Sequence, residues 1–144
     1  MTGSEGLLGV VTEVTVRILK KPDMARALLV GFPSSEEAGQ CVADIIAAGI
    51  IPGGMEMMDR PAIRAAEAFV QAGYPLDVEA LLIVELDGCG AELDHLIGSV
   101  EEIAAENGSV TCRISQSEEE RLAFWLGRKA AFPAVGRISP DYYC

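Results

Sequence analysis

The first regular feature of the chain is an alternation. Val10, Thr12, Val14, Val16 and Ile18 interleave with Val11, Glu13, Thr15, Arg17 and Leu19. A period of two, rich in β-branched residues, predicts a strand over Val10–Leu19. Lys20-Lys21-Pro22-Asp23 stops it, and this basic, proline-containing stretch is the natural linker. A second, shorter apolar run, "ALLVGF" from Ala27 to Phe32, predicts another strand.

The period then changes. Ser34 followed by Glu37 forms a capping box. Ala38, Cys41, Val42, Ile45 and Ile46 then keep the spacing of one buried helix face, and Gly49 closes the helix in a left-handed cap. Met55–Met58 reads as a strand. Asp59 caps the next helix, with Pro61 in its first turn, and that helix is predicted to run to Gly73. "ALLIVELD", Ala80–Asp87, is apolar on both faces until Glu85, as befits a central strand. Leu93, Leu96, Ile97, Val100, Ile103 and Ala104 form the stripe of a helix over 91–106, ended by Asn107-Gly108. Ser109–Ile114 is a strand. Ser117 and Glu120 make a second capping box, opening a helix through Leu122, Trp125 and Arg128 that Pro133 should end.

From Ala27 onward, strand and helix therefore alternate four times. Two strand–helix–strand units with an extra helix between them predict a ferredoxin-like α+β domain, an antiparallel sheet with helices on one face. The strand at Val10–Leu19 lies outside that plan.

Composition narrows the functional classes. The chain has 144 residues and is half apolar, enough for a core. Its net charge of −11 argues against nucleic acid, which is held chiefly through phosphate neutralisation. No apolar run reaches membrane-spanning length, and no signal-peptide pattern opens the chain, so a cytoplasmic protein is expected. Cys41, Cys89, Cys112 and Cys144 lie far apart and His95 is the only histidine. Reduced thiols, rather than a metal site, follow from that spacing.

The candidate chemistry is sparse. Gly3, Gly6 and Gly9 precede a strand and no helix, so neither the dinucleotide fingerprint nor the P-loop applies. The loop is an ordinary glycine-rich turn, or a backbone cradle for a phosphate-bearing ligand. Arg121, Trp125, Arg128 and Phe132 share a helix face, which reads either as an anion receptor or as a solvated basic flank with Trp125 in the core. Met55, Met57 and Met58 read as core before they read as a cofactor wall. Glu56 and Asp59 are carboxylates without an evident partner. His95 belongs on the surface, and Glu118-Glu119-Glu120 is the acidic first turn that a helix dipole favours. No nucleophile–base set appears, and one histidine cannot supply both a triad and a proton relay.

Four stretches nevertheless carry a resemblance: "GSEGLLGVVTEVTVRILKKP", "GIIPGGMEMMD", "AGYPLDVEALLIVELDG" and "FWLGRKAAFPAVGRISPDYYC". Together they resemble the glycolate-oxidising branch of the FAD-linked 2-hydroxy-acid oxidases, in order and along the whole chain. The resemblance implies that residues 1–22 are the last loop and strand of a flavin-binding domain with its linker. Residues 23–144 would be a truncated substrate domain, and the whole an internal fragment, inactive alone.

By the same resemblance Ser4, Glu5, Gly6, Gly9, Val10 and Val11 would pass along FAD. Arg128 would clamp the substrate carboxylate, Tyr142 and Tyr143 would enter the substrate site, and the catalytic base would lie outside this chain. The implied reaction is oxidation of glycolate to glyoxylate by hydride transfer to FAD. The implied partners are a small 2-hydroxy acid, a second FAD-binding subunit and an iron–sulfur subunit, through which the protein could sit peripherally at the inner membrane. D-lactate or D-2-hydroxyglutarate dehydrogenases of the same family remain open, as does a non-enzymatic ferredoxin-like module that binds a ligand or self-associates.

Overall fold

The computed structural model describes residues 1–18 and 21–139. Eight elements follow one another: β1 (Met24–Phe32), α1 (Ser35–Ala47), β2 (Gly54–Asp59), α2 (Arg60–Val70), β3 (Ala80–Gly88), α3 (Gly90–Glu106), β4 (Thr111–Ile114) and α4 (Glu118–Gly136). The four strands form one sheet in the order β2-β3-β1-β4, and every neighbouring pair is antiparallel. This is the expected α+β, ferredoxin-like arrangement.

The strands alternate their side chains between two faces, and each face has its own cover. Leu28, Val30 and Phe32 of β1, with Leu82, Val84 and Leu86 of β3, pack against Cys41 and Ile45 of α1 and Leu93, Ile97 and Val100 of α3. Ala27 and Leu29 of β1, with Leu81 and Ile83 of β3, pack against Ile63 and Ala66 of α2 and Phe124 and Ala131 of α4. The two helices of the strand–helix–strand units thus share one face, as expected. The helices are not confined to it, however: α2 and α4 add a layer on the other side. The physical reason lies in β1 and β3, whose near-continuous apolar runs need both faces dry.

Helix starts follow the sequence. The Ser34, Asp59 and Ser117 side chains accept the backbone N–H of Glu37, Ala62 and Glu120 at 3.2, 3.0 and 3.2 Å, each contact of a kind worth about 1 kcal/mol. Two helix ends differ from expectation. α2 stops at Val70 with Gln71 left-handed at φ 52°, because the N–H groups of Gly73 and Tyr74 turn to the Glu67 carboxylate at 3.2 and 3.0 Å. α4 runs through Pro133 to Gly136. One backbone bond is lost there, but Ala130, Ala131 and Ala134 are buried, so packing overrides the break.

The expected strand over Val10–Leu19 is not seen in its described part, Val10–Ile18. Residues 10–18 have no regular structure and are exposed, while Leu19 lies outside the described residues. A strand needs a neighbour to take its backbone groups, and the sheet among the described residues pairs β1 to β4. Ile46, expected on the buried face of α1, is 54% exposed.

Candidate functional site

α4 crosses the second face of the sheet and brings three of the four residues of its basic–aromatic stripe onto two strand carboxylates. Pairing of β2 with β3 sets Gly54 opposite Glu85 and Glu56 opposite Ile83, so both glutamates project toward α4. Gly54 lets the Trp125 ring come close: a Cβ built there would stand 3.0 Å from the ring. This is the close approach for which glycine is used within a strand.

The two arginines of the stripe meet different fates. Arg121 gives Nε and Nη2 to the two oxygens of Glu118 at 2.9 and 2.6 Å, and Nη1 to Glu85. Glu85 Oε2 also accepts the Trp125 indole N–H. The Arg121 and Glu85 side chains are only 17% and 20% exposed. The Arg121 guanidinium is held further above its ordinary range, first by the hydrogen bonds to Glu118 and then by Glu85. Its charge is spent within the fold, so it cannot serve as an anion receptor.

Among the described residues Arg128 is held by one carboxylate. Its Nε and Nη2 both donate to Glu56 Oε2, at 3.3 and 3.2 Å, and the two side chains are 31% and 45% exposed. A pair so open to water is worth about 0–1 kcal/mol, which an arriving anion can match. No described residue is bonded to Nη1, so this is the member of the stripe that can bind a carboxylate.

The backbone beneath Arg128 is fixed from another direction. Tyr74, in the α2–β3 loop and almost fully buried, donates its hydroxyl to the Phe124 carbonyl within α4. Burial pushes the Tyr74 phenol up to about 12, against a smaller opposing pull from the Arg128 backbone N–H.

The other candidates separate. Met58 is core and Met55 packs against the first face, while Asp59 acts as a helix cap. Phe132 is half exposed, and His95 lies on the exposed side of α3. Cys41 is buried, and Cys89 and Cys112 are exposed free thiols. A cleft of about 600 Å³ between α2 and α4 is lined by Arg60, Arg64, Phe69 and Arg137, and Arg128 is not part of it. Tyr142, Tyr143 and Cys144 lie outside the described residues.

The loop holding Ser4, Glu5, Gly6, Gly9, Val10 and Val11 is exposed apart from a half-buried Ser4. It turns through positive φ at Glu5 (49°) and Gly6 (82°), held by Leu7 N–H on the Ser4 carbonyl at 2.8 Å. Nothing in the described chain stands within 4 Å of a Cβ built at Gly6, so the backbone there is open to a ligand. No hydrogen bond or ion pair among the described residues joins this loop to Arg128.

Glu56, without an evident partner in the sequence, pairs with Arg128, and Tyr74 reaches α4 although nothing in the sequence singles it out. Alternation in "MEMMD" was the available signal for Glu56, since it shares a face with Met58. Nothing local marks Tyr74, whose partner is fifty residues away.

Over 143 residues the chain is 59% identical to the glycolate oxidase subunit GlcD of Escherichia coli, covering 99% of this chain. It is 36% identical over 138 residues to the subunit of the same name in Bacillus subtilis, covering 96%. The chain spans 29% of the length of each of these relatives. Its fold matches a solved alkyldihydroxyacetonephosphate synthase at TM-score 0.64 and 19% identity, over 94% of this chain and 28% of that one. Residues 21–144 match the family model described as FAD linked oxidases, C-terminal domain. The chain therefore belongs to the FAD-linked oxidases, as a C-terminal domain of that family.

Proposed function

We propose that this chain is the substrate-domain segment of a flavin-dependent oxidase that converts glycolate to glyoxylate. The observation that carries the reading is Arg128, a half-exposed guanidinium with a free edge, set within a chain 59% identical to a glycolate oxidase subunit. Residues 1–22 would belong to the flavin-binding side and 23–144 to the substrate domain. The open backbone at Gly6 suits close approach to FAD, because nothing in the described chain stands within 4 Å of a Cβ built there. FAD, when bound, supplies the acceptor for the hydride leaving the α-carbon.

The part of this chain is to bind and orient. Arg128 takes the substrate carboxylate with two N–H donors, which fixes the direction in which the α-carbon faces. Tyr142 and Tyr143 would lie in the segment that enters the substrate site. The base that removes the hydroxyl proton would come from outside these residues. A second FAD-binding subunit and an iron–sulfur subunit would be the partners, and the electrons would pass on to the iron–sulfur subunit. No helix among the described residues is long and apolar enough to cross a bilayer, and peripheral attachment at the inner membrane would come through these partners.

The test is a chimera in which these residues replace the matching segment of the Escherichia coli subunit. It should retain FAD and oxidise glycolate. Arg128→Lys keeps the charge and loses the fork, and should raise KM for glycolate by roughly tenfold or more. An unchanged KM would remove Arg128 from the site, and a chimera that folds without retaining FAD would overturn the loop assignment.

A further inference from the structure

Resting on the reading of Arg128 as the carboxylate clamp, we propose that Glu56 is a positioning residue that selects the guanidinium edge offered to substrate. Both contacts between the two residues go to a single oxygen: Nε at 3.3 Å and Nη2 at 3.2 Å, each to Glu56 Oε2. A guanidinium carries five N–H donors in a rigid plane. Glu56 occupies the Nε–Nη2 edge. The Nη1–Nη2 edge, a second two-pronged fork, is left pointing away from Glu56, and it has the geometry a carboxylate accepts.

Glu56 is suited to that role by where it stands. It lies on β2 between Gly54, which seats the Trp125 ring, and Met58, which is buried in the core. Tyr74 meanwhile grips the turn of α4 from which Arg128 springs. The Arg128 side chain is thus fixed at its root by the phenol and at its head by the carboxylate. A half-exposed ion pair contributes little to stability, so orientation is the better account of it. There is a cost in binding, because the Glu56 charge repels a second anion.

The chimera with the Escherichia coli subunit again provides the assay, with FAD content measured alongside kcat and KM. Glu56→Met keeps the length and removes the acceptor. It should lower kcat about tenfold through lost alignment, with a smaller change in KM. Glu56→Gln restores an acceptor oxygen without the charge and should recover most of kcat with a lower KM. The double variant Glu56→Met/Arg128→Lys should be no slower than Arg128→Lys alone, since Glu56 acts through Arg128.

A wild-type kcat in Glu56→Met, or losses that simply multiply in the double variant, would overturn the proposal while leaving the clamp intact. Unchanged constants in Arg128→Lys would bring down the clamp and this inference with it. Should Glu56→Met fail to accumulate, Glu56→Asp withdraws the carboxylate by one methylene, and there an unchanged kcat counts against the proposal in the same way.

Discussion

The ring of Tyr74 fills the space that a side chain at Gly127 would need. The loop carrying Tyr74 is tied to α2 by Glu67, through the backbone N–H groups of Gly73 and Tyr74, and to Arg113, which donates to the Gly73 carbonyl at 2.8 Å. The phenol enters α4 at the turn between Phe124 and Arg128, and Gly127 is the gap that admits it. The α2–β3 connection thereby bears on the arginine proposed to hold substrate.

Gly127→Ala should therefore be destabilising, although alanine ordinarily favours a helix by about 1 kcal/mol over glycine. The added methyl meets the ring and hydroxyl of a residue that is pinned at its backbone and at its tip. Overpacking of that kind costs about 1–3 kcal/mol, so the steric term wins. Chemical denaturation of the protein carrying this domain should show the loss. The loss should shrink in a Tyr74→Leu background, where the methyl has room. A stabilised Gly127→Ala single variant would show that the gap is not filled.

Much of this was legible in the sequence, for reasons that differ between elements. The caps at Ser34, Asp59 and Ser117 act over three residues, so local spacing declared them. The runs at Ala27–Phe32 and Ala80–Asp87 announced central strands. The same runs also held the information that both faces are covered, because alternation is missing from them. What was not legible depends on distance along the chain. Pro133 lies within α4 because buried alanines on both sides of it pack the helix down. The Val10–Ile18 alternation finds no sheet neighbour among β1 to β4. Spacing put Arg121 and Arg128 on one face, but only the placement of Glu85, Glu118 and Glu56 separates a spent guanidinium from an available one.

Glu85 should matter more to the fold than its place near a strand end suggests. Its Oε2 accepts from both Arg121 and Trp125, and hydrogen bonds to charged groups are worth about 1.5–3 kcal/mol each when little exposed. Arg121 keeps Glu118, which limits the damage. Glu85→Ala should cost roughly 1–2 kcal/mol. It should also alter the fluorescence of Trp125, the chain's single tryptophan, as the indole N–H exchanges a carboxylate for water. Glu85→Gln should be milder, since an acceptor remains. Unaltered emission in Glu85→Ala would dissociate the indole from this node.

Acid should loosen the first turn of α4. Glu118, Glu119 and Glu120 are all held below their ordinary value of 4.5. The causes are hydrogen bonds from Arg121 for Glu118, the residue's own backbone N–H for Glu119, and the Gln116 N–H followed by Arg113 for Glu120. The unfolded chain takes up these protons first. Whatever stability the contacts give is therefore complete above about pH 4.5 and is lost as pH falls through the lower folded values. Protection of the α4 amides against exchange, corrected for the intrinsic rate at each pH, should fall over that window. A Glu118→Gln/Glu120→Gln variant should show a shallower dependence, and an identical one would discount these carboxylates.

At the other end of the pH scale the sign reverses at Tyr74. Burial lifts its phenol from 10.0 to about 12, so the fold favours the neutral form that donates to the Phe124 carbonyl. That contribution is complete below pH 10 and is lost as pH rises through about 12. The chain has three tyrosines, and a Tyr74→Phe subtraction isolates one of them in an ultraviolet titration. The subtracted phenolate signal should appear near 12 rather than 10, together with the loosening of α4 around Arg128. In the Tyr74→Phe protein the alkaline loss of stability should flatten, because the group whose ionisation drives it is gone. A subtracted signal that titrates at 10 would mean that the phenol is reached by water in the folded state, and the grip on the root of Arg128 would have to be assigned to the ring alone.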